Sequence, residues 1–369
     1  MADGPLGGDS RDGIVPFFLA QGEQTGADVA RRLASFIGGA RRTLDIATYD
    51  FRLSDGLKAI VAAALAERAA AGVAIRIVYD ADKPPTPNLH AGMDPAPGGT
   101  GSFVQALGHP WRRIGGLKLM HDKYLIRDAA TPEARVWTGS TNLTDDAWTL
   151  QENNVLQLAS PELAAAYTHD FTEMWQSGTF EGSGAFDPGP VTLSYDGRPA
   201  TVRLLFSPGR GAAINRAVAE RVRAARRRVR LCSMLLNSGA LLSALLDLLQ
   251  DGRVAVDGVY DRTQMESVLA QWQQVPRNRW KIGAVRDIVD LAHLAGKDST
   301  PYSPTSKHDF MHNKALVIDD AVVTGSFNFS HSAEQNAENI LLIDSAPLAN
   351  AYSVYIDHVL TKYRANAML

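Results

Sequence analysis

The sequence has few of the features that mark secreted, membrane-spanning or disulfide-rich proteins. Its 369 residues include a single cysteine, Cys232, which excludes an intrachain disulfide and favours a reducing compartment. No apolar stretch approaches the roughly 20 residues that a transmembrane helix needs. Residues 1–13 are rich in Gly and Asp and lack the basic and apolar segments of a signal peptide. We therefore expect a cytoplasmic protein that begins with a flexible leader at 1–13.

Charge of neither sign is in excess. The 37 Lys and Arg residues nearly balance the 40 Asp and Glu residues, which gives a net charge of −3. A broad basic surface for nucleic acid or anionic membranes is therefore not expected, and affinity for polyanions must come from local clusters. The densest cluster is interpreted as a solvated helix end and comprises Arg221, Arg223, Arg226, Arg227, Arg228 and Arg230.

One motif, H-x-K-x-x-x-x-D, occurs twice in this chain. Its residues are His121, Lys123 and Asp128 in the first copy and His312, Lys314 and Asp319 in the second. Each copy is followed by Gly-Ser-x-Asn and, 10 positions beyond the asparagine, by a glutamate. These residues are Ser140, Asn142 and Glu152 in the first copy, and Ser326, Asn328 and Glu338 in the second. Two matched copies predict one active site built from two halves, with a histidine from each.

The order of elements repeats together with the motif. In each half, helix and strand patterns alternate up to a Val-Tyr-Asp strand end, at 78–80 and 259–261. Such alternation predicts an α/β fold with helices on both faces of mixed sheets. We expect the two halves at 14–180 and 181–369, divided within the Gly-, Ser- and Pro-rich stretch 177–190.

Two long segments, 83–116 and 262–310, precede the motif of their half and differ from each other. Long irregular segments inside a compact domain commonly serve function. We therefore expect them to form the walls that select the substrate. The segment 117–126, which follows the first of them, is predicted to form a strand that includes His121.

The residue types of the motif suit one kind of chemistry. On a strand, a histidine and a lysine two positions apart point to the same side. An imidazole can act as nucleophile, acid or base near neutral pH, and a glutamate can orient its ring. Lysines and neutral Ser or Asn donors stabilise the charge on phosphoryl oxygens. Since no set of metal ligands accompanies them, the sequence predicts a phosphodiester substrate and neither metal nor cofactor.

Together these motifs resemble the phospholipase D superfamily, also called the HKD family, over about residues 43–359. The resemblance implies two duplicated phospholipase D-like α/β/α halves with mixed sheets and an active site at the pseudo-two-fold interface. It also implies a phosphohistidine intermediate, with the second histidine protonating the leaving oxygen and then activating water. By family habit, His121 is expected to be the nucleophile and His312 the acid and base.

The resemblance further implies a role for each motif residue. The expected catalytic residues are His121, Lys123, His312, Lys314, Glu152, Glu338, Asp128 and Asp319. The glutamates would orient the histidines, and the two aspartates would serve structure more than chemistry. The expected substrate-binding residues are Ser140, Asn142, Ser326 and Asn328. Because both copies lie in one chain, catalysis would not require an oligomer.

The motif does not choose among the substrates of the family, which include nucleic acids and phospholipids. The amino-acid sequence of the second copy, at 311–314 and 324–330, is similar to that of the bacterial nuclease and cardiolipin-hydrolase branch. Nucleic acid is ranked first as substrate and phospholipid second. The third hypothesis for the function is a non-catalytic module that binds polyanions.

Overall fold

The computed structural model describes residues 12–80 and 97–366, so most of the predicted leader and part of the segment 83–116 lie outside the described residues. The first half contains β1 (Ile14–Leu19), α1 (Gly26–Gly38), β2 (Thr43–Thr48), β3 (Phe51–Arg52), α2 (Asp55–Ala70), β4 (Ala74–Tyr79), α3 (Thr100–Ala106), β5 (Trp111–Arg113), β6 (Lys123–Arg127), β7 (Arg135–Gly139), β8 (Leu143–Thr144), α4 (Asp145–Thr149), β9 (Asn153–Leu158) and α5 (Pro161–Ser177). The second half contains β10 (Pro190–Tyr195), β11 (Arg198–Ser207), α6 (Gly211–Arg223), β12 (Arg228–Ser233), α7 (Gly239–Asp251), β13 (Ala255–Asp261), α8 (Arg262–Gln273), α9 (Arg279–Leu291), β14 (Ala295–Lys297), β15 (Lys314–Ile318), β16 (Ala321–Gly325), β17 (Glu338–Asp344) and α10 (Ala346–Asn366).

Each half is organised around one mixed sheet. The first sheet has seven strands in the order β1-β9-β7-β6-β2-β4-β5, and the second has eight in the order β10-β11-β17-β16-β15-β12-β13-β14. In both sheets three neighbouring strands run parallel, β2-β4-β5 and β12-β13-β14, and the remaining pairs are antiparallel. The predicted α/β class, mixed sheets and internal duplication are thus confirmed.

The central apolar core is shared by both halves. Tyr167 and Phe171 of α5 and Tyr352 and Ile356 of α10 are fully buried in one cluster with side chains of both sheets. Burial of each such side chain contributes about 1.5–3 kcal/mol, so this shared layer is a major source of stability. Separate clusters cover the outer faces, one under α1, α2 and α3 and the other under α6 to α9.

Local sequence signals set the element boundaries. Helix α1 starts at a capping box in which Thr25 and Asp28 exchange hydrogen bonds. Helix α5 starts at Ser160 followed by Pro161 and ends at Gly178 in the left-handed conformation. Strands β10 and β11 form a hairpin whose two-residue turn is Asp196-Gly197, a sequence typical of such turns.

The strand predicted at 117–126 is shorter than expected, because β6 begins only at Lys123. The preceding residues pair instead with the other half of the molecule. Met120 forms a bridge with Ala337, and His121 N–H donates to the Ala337 carbonyl at 2.8 Å. This contact brings His121 to the interface between the halves.

Candidate active site

The two H-x-K motifs occupy equivalent places at the start of two interior strands. Lys123 begins β6 and Lys314 begins β15, and each is paired with the last residue of a neighbouring strand, Thr48 or Ser233. The ammonium group of Lys123 donates to the carbonyl of His121 at 2.6 Å, and Lys314 donates to the carbonyl of His312 in the same way. Each lysine is therefore fixed beside its own histidine.

The partner of each histidine comes from the opposite half. His121 Nδ1 lies 2.7 Å from Glu338 Oε2, on the first residue of β17. His312 Nδ1 lies 3.1 Å from Asn153 Oδ1, on the first residue of β9. The structure thus brings both histidines, both lysines and Glu338 together at the interface, and the site is complete only with both halves present.

A pair of buried asparagines joins the halves beneath this site. Asn339 Oδ1 accepts hydrogen bonds from Thr138 Oγ1 and Tyr167 Oη, while its Nδ2 donates to Asp122 Oδ1 at 2.8 Å. Asn154 of the first half makes the matching bonds to the second half. Its Oδ1 accepts from Thr324 and Tyr352, and its Nδ2 donates to Asn313. These crossed bonds give the interface a local pseudo-two-fold symmetry.

The Gly-Ser turns place the partner strands. A Cβ on Gly139 or Gly325 would come within 2.2 or 2.3 Å of a carbonyl oxygen on the neighbouring strand, and φ is +149° and +152° at the two glycines. Glycine therefore permits the close approach. The hydroxyl of Ser140 then donates to Asn153 Oδ1 at 2.7 Å and accepts from Asn154 N–H. Ser140 and Ser326 are fully buried, so the structure places them behind the histidine partners.

Asn142 and Asn328 differ from the serines in their surroundings. Both side chains are half-buried, and among the described residues their carbonyl oxygens find no hydrogen-bond partner. Buried amide groups without partners are uncommon in folded proteins. Because an amide oxygen only accepts, these two atoms are available to a donor such as a substrate hydroxyl group or a water molecule.

Glu152 does not contact His312. In the sequence, Glu152 and Glu338 are equivalent because each follows the motif asparagine of its half by the same number of positions. The strand register is different. Gly139 pairs with Val155 and Gly325 pairs with Ile340, so the residue that occupies the place of Glu338 is Asn153. Glu152 is instead fully buried in an ion pair with Lys297, at 2.5 Å, and it also accepts a hydrogen bond from Tyr363.

The motif aspartates lie at the far ends of their strands and bond to backbone. Asp128 accepts from the N–H groups of residues 41–43, and Asp319 accepts from those of residues 226–228. Both aspartates have positive φ, +56° and +51°. They close the turn after each motif strand.

Burial dominates the electrostatics of the site. It lowers the pKa of both histidines well below the usual value, and the neighbouring lysines lower it further. Burial also lowers the pKa of Lys123 to about 8 and raises that of Glu338 to about 8. Burial therefore favours the neutral form of each of these groups in the resting site.

An aromatic wall flanks the histidines, and the motif alone did not reveal it. The ring of Tyr49 lies 5.0 Å from that of His121, and its hydroxyl bonds to Tyr302. Tyr302, His308 and Phe310 then stack in series at centroid distances of 5.2 Å or more. Tyr302 and His308 belong to the predicted wall 262–310, so part of that segment does face the site.

Two further properties concern the described residues as a whole. Within 12–80 and 97–366, no three His, Cys, Asp or Glu side chains form a set that could hold a metal ion. No helix in these ranges has the length and apolar character required to span a membrane.

A duplicated α/β fold with one H-x-K histidine from each half defines a two-histidine class of site. The family model "Cardiolipin synthase, PLD-like domain" matches residues 33–175 and 218–360, and the chain belongs to this phospholipase D-like family. The predicted membership is thereby confirmed, in two repeats.

Relatives and solved structures agree with this membership. A phospholipase D of Rickettsia bellii is 27% identical over 41% of this chain and 65% of its own length. A mitochondrial cardiolipin hydrolase of Chlamydomonas reinhardtii is 30% identical over 39% of this chain and 56% of its own length. The chain thus spans less than two thirds of either relative. The fold is similar to that of a phosphatidylserine synthase from Haemophilus influenzae, with a TM-score of 0.62, 13% identity and coverage of 94% of this chain and 86% of that one.

Proposed function

We propose that this chain is a metal-independent phosphodiesterase that acts through a phosphohistidine. The crossed pairing of His121 with Glu338 and of His312 with Asn153 is the observation that carries the proposal. Each contact engages Nδ1 and leaves Nε2 as the nitrogen that can meet a substrate. Two imidazoles with opposed tasks on one phosphate are what a double displacement needs.

In the first step, His121 Nε2 attacks phosphorus and the bond to the leaving oxygen breaks. The proton on His121 Nδ1 stays there, facing Glu338, so the Glu338 carboxylate is the counterion of the cationic phosphohistidine. His312 enters this step protonated on both ring nitrogens, gives the Nε2 proton to the leaving oxygen, and becomes neutral. In the second step, neutral His312 takes a proton from water, the water oxygen attacks phosphorus, and the bond to His121 breaks.

The remaining polar groups would hold the phosphoryl oxygens. Lys123 and Lys314 supply positive charge from fixed positions, since each is tied to the carbonyl of its own histidine. The amides of Asn142 and Asn328 would donate from the two sides. Preorganised donors of this kind lower the barrier because they need no rearrangement as charge develops.

We place phospholipids first among the substrates, ahead of nucleic acid. The relatives' names, phospholipase D and cardiolipin hydrolase, support this order. The arginine cluster supports it too, since Arg227 and Arg228 contact Asp319 or Asp320 at the end of β15 remote from His312. The reacting histidines are each only 6% exposed, which suits a phosphate on a flexible chain better than one in a rigid duplex.

Nucleic acid is the second candidate, and one panel separates the two. The purified protein is incubated with EDTA and either phosphatidylcholine–cardiolipin liposomes or single-stranded DNA, duplex DNA and RNA. We expect release of phosphatidic acid or a free headgroup from the liposomes and no cleavage of the polynucleotides. Cleavage of a polynucleotide alone would overturn the lipid assignment. Loss of every activity in EDTA would overturn metal independence.

The order of the histidines is tested with leaving groups of different acidity. His121→Asn should lower turnover at least about 10²–10⁴-fold with every substrate, because the nucleophile is lost. His312→Asn should abolish cleavage of alkyl phosphodiesters but retain a burst with a p-nitrophenyl phosphodiester, whose leaving group needs no proton. If the two variants behave alike, or exchange these behaviours, the assigned order is wrong.

A further inference from the structure

The two histidines have chemically different partners at equivalent positions. Asn153 and Glu338 each begin the strand that pairs with the Gly-Ser turn of their half, two residues before Val155 and Ile340. One histidine therefore faces an amide oxygen and the other faces a carboxyl group. The residue after each histidine differs in the same sense, with Asn313 next to His312 and Asp122 next to His121.

The orientation of the Asn153 amide is fixed by its other contacts. Nδ2 donates to the Ala147 carbonyl and to Gln151 Oε1, each at 3.1 Å, so Oδ1 must be the atom that faces His312. The hydroxyl of Ser140 donates to the same oxygen. Because an amide oxygen only accepts, His312 carries its neutral-state proton on Nδ1 and leaves Nε2 free.

The charged groups around His312 belong to every element packed against it. They are Lys314 on its own strand, Lys123 on β6, His121 with Glu338 across the interface, His308 in the preceding segment, Asp261 at the end of β13, and the Glu152–Lys297 pair on β9 and β14. The lysines, His121 and His308 all disfavour a second positive charge on His312. The Nδ1 atom of His121 contacts a carboxyl group, whereas the Nδ1 atom of His312 contacts the amide oxygen of Asn153.

We propose that Asn153 is a positioning residue that orients His312 without stabilising its protonated form, and so keeps His312 a strong acid. This inference rests on the proposed role of His312 as proton donor. An amide oxygen aligns the ring as well as a carboxylate does, but it offers no negative charge to an imidazolium. Glu338, by contrast, supplies a negative charge beside His121, and this charge stabilises the cationic phosphohistidine. The pair Asn153 and Glu338 thus divides one symmetric site into a donor side and a nucleophile side.

The substitution Asn153→Asp tests this directly, since it changes charge with little change in shape. A carboxylate beside the ring should raise the pKa of His312 by about 1–3 units. The alkaline limb of the kcat/KM profile for an alkyl phosphodiester should move to higher pH by that amount. Its plateau rate should fall, because the acid is weaker, while p-nitrophenyl phosphodiester cleavage should change little. A purely structural role would lower both rates together and leave the limb in place.

The reciprocal variant, Glu338→Gln, is the matched comparison. It should slow cleavage of both substrates alike, because it weakens the nucleophile, and it should not move the alkaline limb to higher pH. Should either variant turn over too slowly, the pKa of each histidine is measured in resting protein by histidine hydrogen–deuterium exchange and mass spectrometry. If His312 titrates at the same pH in wild type and Asn153→Asp, the inference is overturned. If wild type itself cleaves no phosphodiester, the proposed function fails instead.

Discussion

At the scale of single residues, Asp122 is a buried acid at a position where the second half has the amide Asn313. Asp122 Oδ2 and Asp170 Oδ1 are both buried, and neither has a partner among the described residues. Burial raises the pKa of both groups, and their mutual repulsion raises that of Asp170 further. Each carboxyl group therefore favours its neutral, protonated form in the folded protein.

We predict that Asp122→Asn stabilises the protein, and more so at pH 8 than at pH 5. Burial raises the pKa of Asp122 from 3.8 to about 7, so the folded state holds a proton that the unfolded state has lost. The contribution of this group to folding is greatest below about pH 4 and is lost as pH rises to about 7. An amide does not ionise, so Asp122→Asn avoids this loss of stability at high pH. The free energy of unfolding in urea, measured at pH 5 and pH 8 for both proteins, tests the prediction.

The equivalent substitution in the second half is the control. Asn313 Nδ2 donates to Tyr355 Oη, and its Oδ1 accepts from Asn154 at 2.6 Å. Asn313→Asp places an acid in that neutral setting, so it should destabilise the protein, and more at pH 8. An equal effect of Asp122→Asn at both pH values would show that Asp122 ionises freely in the folded state.

The sequence predicts most residues of the site but not their contacts. The repeated motif identifies the two histidines and the two lysines by residue type, and these four residues do meet at the interface between the halves. The role of Asn153 is not visible, since Glu152 next to it completes the repeated spacing. Strand register, which fixes the side of the sheet that a residue faces, decides between two neighbours, and a one-residue shift reverses the outcome.

At the scale of elements, the buried Glu152–Lys297 pair joins β9, β14 and α10. Lys297 also donates to the carbonyls of Leu150 and Phe310, and Glu152 accepts from Tyr363 on α10. The strand pairing aligns Glu152 with Ala337 of the second half and Lys297 with Ile114 of the first, both fully buried and apolar. The buried pair of charges therefore joins the two halves at one place only, and the fold does not require it at the equivalent place.

We predict strong coupling between these two residues in a double-mutant cycle. Glu152→Gln alone should destabilise the protein by about 3–5 kcal/mol, because it leaves Lys297 buried without its partner. Lys297→Met should cost less, because Lys362 still lies 3.4 Å from Glu152. The double variant should lose much less than the sum of the two. Urea unfolding of the four proteins measures the difference.

A surface pair provides the comparison for this cycle. Arg223 and Asp247 lie 3.2 Å apart, but their side chains are 45% and 61% exposed. Their coupling should not exceed about 1 kcal/mol, as is usual for exposed pairs. If the Glu152–Lys297 pair shows no more coupling than this, it does not stabilise the junction of the three elements.

Element types were predictable where periodicity was strong, and less so where the chain crosses the interface. The strands and helices before each Val-Tyr-Asp end follow local patterns that the sequence displays. The segment 117–126 is predicted as one strand, but its first part leaves the sheet and reaches Ala337. Local composition cannot show that a segment pairs with a residue about 200 positions away.

At the scale of the whole molecule, the two halves should behave as one unit of folding and activity. They share the apolar cluster between α5 and α10, and each supplies the partner of the other's histidine. We predict that fragments 1–180 and 181–369 expressed separately are inactive and lack a cooperative unfolding transition. Coexpression should restore both properties.

Activity assays and calorimetry of the fragments and the intact chain would check this. The intact chain should unfold in a single cooperative transition, because exposing the shared core of one half exposes that of the other. A cooperative transition in either fragment alone would show that the halves are independent domains. Activity in 1–180 alone would show that His121 does not need Glu338.

The crossed partners have a consequence for how such a chain can change over generations. After a duplication, copies usually drift apart, each under selection for its own task. With the roles proposed above, the acidity of His312 would depend on Asn153 in the first copy, and the nucleophilicity of His121 would depend on Glu338 in the second. Neither copy can therefore specialise by itself, and a chimera that joins one half to the matching half of a relative would inherit a mixed division of labour.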